Sequence, residues 1–216
     1  MITQDGKIYI FSGKSRSGKT ALAALLVKSL KIKTVFAWDP EAQWCNVPGF
    51  VKVTSIQKMR DLVMAGKGGR YAYVCNGDLK EGFEQLCAVA FHWAMFKGDG
   101  ESLFIAEELA DVTTSAKAGP EWGKLVRRVL KRQMSIIAIS QRWQEADKTA
   151  IGNASRAYIF KPVPKDAAYV AGAFGLDVAS VAALEQFHYI EWKDYGKPEA
   201  KWLPWAKKPD AKGKDV

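Results

Sequence analysis

The sequence predicts a three-layer α/β fold, with a mostly parallel central sheet, helices on both of its faces and a C-terminal β-hairpin. Three observations predict it. Short, continuously apolar runs such as TVFAW (34–38) and SIIAIS (135–140) read as strands buried on both faces. Helix-forming stretches such as ALAALLVKSL (21–30) alternate with them along the chain, the mark of parallel strands joined by helical crossovers. The 216 residues are 48% apolar, enough to build a full core in one domain, expected over 1–206.

The first strand is KIYIFS (7–12), and the segment after it carries the strongest signal in the chain. Residues 13–20 read GKSRSGKT and match G-x-x-x-x-G-K-[ST], a phosphate-binding loop between a strand and a helix N-terminus. Backbone N–H groups converge on an anion at such a place, and the helix dipole adds partial positive charge. Gly13 and Gly18 supply backbone angles that other residues resist. Lys14, Ser15, Arg16 and Ser17 complete the cradle, although the charges of Lys14 and Arg16 also fit plain solvated side chains. Lys19 is expected on the β- and γ-phosphates, and the Thr20 hydroxyl on Mg²⁺. ATP and Mg²⁺ are therefore the expected cofactors.

The next strand, TVFAW, stops at Asp39-Pro40. Asp39 is either a turn residue or a contact to nucleotide or a neighbouring subunit. FVKVT (50–54) is a short strand. SIQKMRDLVMAG (55–66) is an amphipathic helix capped by Ser55 and stopped at Gly66. RYAYVCN (70–76) is a further strand, and 81–97 a long helix ending at Gly98. His92 lies inside that helix, far in sequence from His188, so no histidine metal site is indicated.

SLFIAEELAD (102–111) is the second chemical element: a buried strand ending in Glu107 and Glu108. An acid here orients Mg²⁺, the role expected of Glu107, and a second polarises the attacking water, the role expected of Glu108. An ordinary acidic helix start is the competing reading. A basic helix is expected over 121–133. The strand SIIAISQR then ends near Gln141, whose amide is suited to sense the γ-phosphate and hold the attacking water. NASRAYIFKP (153–162) is a strand with Arg156 near its start. Helices are expected over 166–175 and 178–187, and a hairpin around Tyr195-Gly196-Lys197. The last ten residues, KKPDAKGKDV, read as a basic, disordered tail.

The formal charge of +9, from 32 basic and 23 acidic residues, favours a polyanionic partner. Cys45, Cys75 and Cys87 have no C-x-x-C spacing, which points to reduced thiols. No apolar run approaches the roughly 20 residues that cross a bilayer. LCAVAFHWAMF (86–96) reads as a buried helix instead.

The order GKSRSGKT, FIAEE, basic helix, SIIAISQR and NASRAYIF resembles the FtsK–HerA superfamily of P-loop ATPases. That superfamily has a RecA/FtsK-like P-loop NTPase fold. Small size and the lack of accessory domains make the chain similar to the genome-packaging ATPases of membrane-containing icosahedral phages, tectivirus-like. The resemblance spans residues 7–162 and departs in one place: Glu107 stands where the family's pattern has Asp. It implies a homo-oligomeric ring, usually a hexamer, with ATP at subunit interfaces. It also implies an arginine finger just before the Gln-bearing strand, best matched by Arg132, then Arg128, then Arg127. Arg156 matches a family arginine that acts as a sensor or second finger. For each arginine, a solvated helix face is the competing reading. The implied activity is packaging of double-stranded DNA, independent of sequence, at the packaging vertex of a virion in the host cytoplasm. Capsid or vertex proteins are the implied partners. Lys67, Arg70 and Lys117 are candidate pore residues. An assembly or export ATPase of the filamentous-phage type, a small-molecule P-loop kinase and a nucleotide-binding structural protein are the alternatives.

Overall fold

A computed structural model describes residues 5–98 and 100–206 of the chain; the expected basic tail at 207–216 lies outside them. Among the described residues, nine strands form one sheet: β1 (Ile8–Ser12), β2 (Thr34–Trp38), β3 (Val51–Val53), β4 (Arg70–Tyr73), β5 (Ser102–Ala106), β6 (Met134–Ser140), β7 (Arg156–Phe160), β8 (His188–Lys193) and β9 (Glu199–Trp202). Their spatial order is β3-β4-β2-β5-β6-β1-β7-β8-β9. Pairings from β3 through β7 are parallel, while β8 and β9 add an antiparallel hairpin against β7. The expected architecture is the observed one.

The central strands are buried on both faces because alternate residues feed two separate cores. Ile8, Ile10, Phe36, Trp38, Phe104, Ile136 and Ala138 enter one core. It is closed by α2 (Ile56–Met64), α3 (Leu79–His92), α5 (Pro120–Arg128) and α7 (Pro164–Ala173). Phe11, Val35, Ala37, Leu103, Ile105, Ile137 and Ile139 enter the other. There they meet α1 (Lys19–Leu30), Trp44 and the hairpin residues Tyr189 and Leu203. The short helices α4 (Leu109–Val112), α6 (Thr149–Gly152) and α8 (Val178–Ala182) join these elements.

Two helices end earlier than their apolar patterns suggest. The basic helix stops at Arg128 and tightens into a 3-10 turn, Leu130–Arg132, closed by Gln133 at φ 59°. The tighter turn lets Leu130 O accept from Gly6 N at 2.8 Å, which steers the chain into β6. The long helix does run to Gly98 as expected, its last turn, Trp93–Lys97, widening into a π turn. The last helix, expected to reach 187, ends at Ala182, because 183–187 must turn back into β8. Ser55 does cap α2, accepting from Lys58 N at 3.3 Å. Among the described residues, no helix is long and apolar enough to cross a membrane.

Candidate functional site

Ligand sites of open α/β sheets gather where strands release their carboxyl ends. Here β1, β5 and β6 end together: Ser12 pairs with Ser140, and Ala106 with Ala138. The loop after β1, the two glutamates after β5 and Gln141 after β6 therefore line one cleft of ≈ 590 Å³.

The loop is closed by its own backbone. Lys14 N donates to Lys161 O at 2.8 Å and Ser17 N to Lys14 O at 3.3 Å. Gly13 and Gly18 lie at φ 146° and 108°, as the motif requires. There is also no space for a side chain at Gly18, where a Cβ would stand 2.5 Å from Leu203 Cδ1. Lys19 is buried, and among the described residues its Nζ donates only to Lys14 O, at 3.1 Å. Burial pushes the Lys19 pKa down, against the pull of Glu108 and Glu107. A desolvated ammonium with one neutral acceptor gains strongly from an arriving phosphate.

Both oxygens of Glu107 are held. Thr20 Oγ1 donates to Oε1 at 2.6 Å, and Trp44 Nε1 donates to Oε2 at 3.2 Å. Glu107 is almost fully buried, and burial lifts its pKa to about 7 despite these two bonds. Asp39 serves this arrangement as a turn residue. Its carboxylate accepts from the backbone N–H of Gln43, Trp44 and Cys45 at 2.7, 3.0 and 2.9 Å, fixing the 3-10 turn that carries Trp44.

Glu108 is half-buried and sits at φ 44°, ψ 55°, a left-handed conformation unusual for a glutamate. Gln141 Nε2 donates to its Oε1 at 2.6 Å. The residues after Gln141 are anchored as well. Asp166 accepts from Trp143 N and Gln144 N at 3.2 and 3.0 Å, and Trp143 Nε1 donates to Phe11 O at 3.1 Å. Arg142 pairs with Asp111, on the helix after Glu108.

The expected arginines are not brought to this cleft. Arg128 and Arg132 are exposed at the end of the sheet where β6 begins, and Arg127 is exposed beside them. Arg156 is at that same end, opposite Tyr9, and pairs with Glu191 at 3.3 Å. Arg70 is bound internally, donating to Ile32 O at 2.9 and 3.2 Å. Sequence reasoning missed Trp44, Gln186 and Phe187. The last two line the cleft from the turn before β8. The one available hint was an isolated Trp44 shortly after a strand-ending Asp39-Pro40.

No family model matches the chain. Protein P9 of Pseudoalteromonas phage PM2 is 32% identical over 144 residues, covering 66% of this chain and 63% of that protein, so the match spans less than two thirds of the relative's length. Among solved structures, the genome packaging NTPase B204 from Sulfolobus turreted icosahedral virus 2, in complex with AMPPCP, has TM-score 0.70 at 16% identity. That match covers 92% of this chain and 98% of B204. The bacterial conjugative coupling protein TrwB has TM-score 0.65 at 6% identity, over 94% of this chain and 86% of that one. The chain thus has a P-loop NTPase fold, similar to that of the genome packaging NTPase B204 and of TrwB, and it is similar in sequence to protein P9 of phage PM2.

Proposed function

We propose that the chain is a Mg²⁺-dependent ATPase that drives double-stranded DNA into a preformed capsid, working as a subunit of a ring, most simply a hexamer. The observation that carries this reading is the Gln141–Glu108 hydrogen bond, set across the cleft from a phosphate-binding loop. A carboxylate whose Oε1 is held by an amide keeps Oε2 to accept a proton from an attacking water. That arrangement suits hydrolysis better than transfer to a small acceptor. The similarity to a viral packaging NTPase supports the substrate.

Lys19 and the loop N–H groups would bind the β- and γ-phosphates. Thr20 Oγ1 and Glu107, two oxygen ligands 2.6 Å apart, fit Mg²⁺, which prefers oxygen and near-octahedral geometry. When bound, the metal supplies charge neutralisation at phosphate oxygens. Glu108 accepts the proton of the water, and Gln141 orients both. Arg132 would act on a neighbour's nucleotide, with Arg128 as second choice. Arg156 would act at a subunit contact or as a sensor. The net charge of +9 supports sequence-independent, salt-sensitive DNA binding. Residues 1–206 are read as one domain, at work at the virion packaging vertex and in the host cytoplasm.

Steady-state ATP hydrolysis with and without double-stranded DNA, on wild type and Glu108→Gln, tests the proposal. Stimulation by DNA of any sequence, lost in the variant, is expected. Hydrolysis indifferent to DNA would favour an assembly or export ATPase. Phosphate transfer to a small acceptor would overturn hydrolysis altogether.

A further inference from the structure

The cleft is larger than its phosphate chemistry requires. Glu107, Glu108 and Gln141 enter it from β5 and β6 on one side of β1, whereas Gln186 and Phe187 enter from the turn before β8 on the other. A triphosphate with its terminal phosphate against Lys19, Glu108 and Gln141 would run away from β5 and β6, toward Phe187. A volume of ≈ 590 Å³ has room there for more than a phosphate chain.

That end of the cleft is built. Phe187 lies at φ 65°, a left-handed conformation that a bulky residue adopts only where its surroundings enforce it. Its carbonyl accepts from Leu203 N at 3.0 Å, and His188 N donates to Glu185 O at 3.2 Å. Gln186 Nε2 donates to Arg16 O at 3.3 Å, tying the turn to the phosphate-binding loop itself. The Phe187 ring meets Trp205 edge-on, at 6.4 Å between centroids and 71° between planes. It also abuts Gly18, where a Cβ would come 3.3 Å from the ring. The ring packs against the second core yet stays half-buried, unlike the fully buried Phe11, Phe160 and Trp44 of that core. A half-covered aromatic ring beside a phosphate loop is a surface suited to a heteroaromatic ring, which gains from stacking as well as from burial.

We propose that Phe187 is the nucleobase-stacking residue of this site, positioned by Gln186, so that the C-terminal segment selects nucleoside triphosphates over bare polyphosphate. The inference rests on the nucleotide-binding reading above. It is tested by measuring dissociation constants for ATP and for inorganic tripolyphosphate on wild type, Lys19→Ala, Phe187→Leu and Phe187→Trp. Leucine keeps apolar packing at the turn without a stacking face. Phe187→Leu is expected to weaken ATP about 10- to 100-fold and leave tripolyphosphate unchanged, with Phe187→Trp restoring ATP. An ATP affinity that Phe187→Leu leaves unchanged overturns the stacking role and keeps nucleotide binding intact. Equal losses for both ligands make the ring a support of the loop and also overturn it. Wild type that binds neither ligand, or binds both independently of Lys19, overturns the nucleotide reading and this inference with it.

Discussion

The indole N–H of Trp44 donates to Glu107 Oε2 at 3.2 Å, the carboxylate oxygen that Thr20 leaves free. The ring is fully buried and packs against Phe50, 5.6 Å between centroids, while Asp39 fixes its backbone. Glutamate has one more rotatable bond than aspartate, and a second donor removes the freedom that bond adds. Trp44→Phe keeps most of the packing and removes only the donor. A hydrogen bond to a charged group is worth about 1.5–3 kcal/mol, so the Mg²⁺ concentration for half-maximal ATP binding should rise about tenfold. Nucleotide binding in EDTA should stay as in wild type. An unchanged Mg²⁺ requirement would reduce Trp44 to a core residue.

Glu108 and Gln141 should behave as one unit, because their side chains are joined at 2.6 Å. Glu108→Gln should retain ATP binding and lose about 10²–10⁴ in hydrolysis, the range for a general base. Gln141→Ala should lose less. The double variant should be no worse than Glu108→Gln alone, since contacting residues couple strongly. Additive losses in single-turnover hydrolysis would mean that the two act separately.

The arginines give a prediction in trans. Strand β6 has seven residues and spans about 20 Å at ~3.3 Å per residue, so Arg132, before its start, stands farther than that from its own cleft. Among the described residues Arg132 makes no ion pair. Arg132→Ala should bind ATP normally and hydrolyse it about 10³-fold or more slowly. Mixed with Lys19→Ala subunits, also inactive alone, it should recover activity, because one interface type then combines an intact loop with an intact arginine. No recovery would move the finger to Arg128 or remove it.

What was legible in the sequence divides along physical lines. The loop, the glutamates and Gln141 were visible because each comes directly after a strand buried on both faces, and such strands announce themselves as unbroken apolar runs. Trp44 and Phe187 were not visible. They reach the cleft through turns whose course is set by tertiary bonds: Asp39 to three backbone N–H groups, and Gln186 to Arg16. The basic helix was legible in its amphipathic part, where Trp122, Leu125, Val126 and Val129 are buried. Its end was not, because Leu130–Arg132 is bent to join β6 by the bond from Gly6, more than a hundred residues earlier. Arg156 shows the limit of motif matching: its position beside β1 is held by Glu191, from the C-terminal hairpin that the resemblance does not cover.

Asp166 should tie stability to turnover. It is buried, and its two oxygens accept from Trp143 N and Gln144 N just beyond Gln141. Asp166→Ala leaves the buried Trp143 N–H without a partner, at about 1–3 kcal/mol, and the Gln144 N–H is open enough to turn to water, so unfolding in urea should show a loss of about 1–3 kcal/mol. With its anchor gone, the chain carrying Gln141 should also lower hydrolysis more than ATP binding. The pH dependence has a definite sign. Burial raises the Asp166 pKa above 3.8, outweighing the two N–H donors. The folded protein therefore holds that proton more tightly than the unfolded chain does, and the stability owed to Asp166 is greatest in acid. It declines as pH rises from 3.8 through the raised value, and Asp166→Ala lacks that decline. Urea midpoints for both proteins across this range check it. A difference that grows with pH would mean that hydrogen bonding, and not burial, governs this carboxylate.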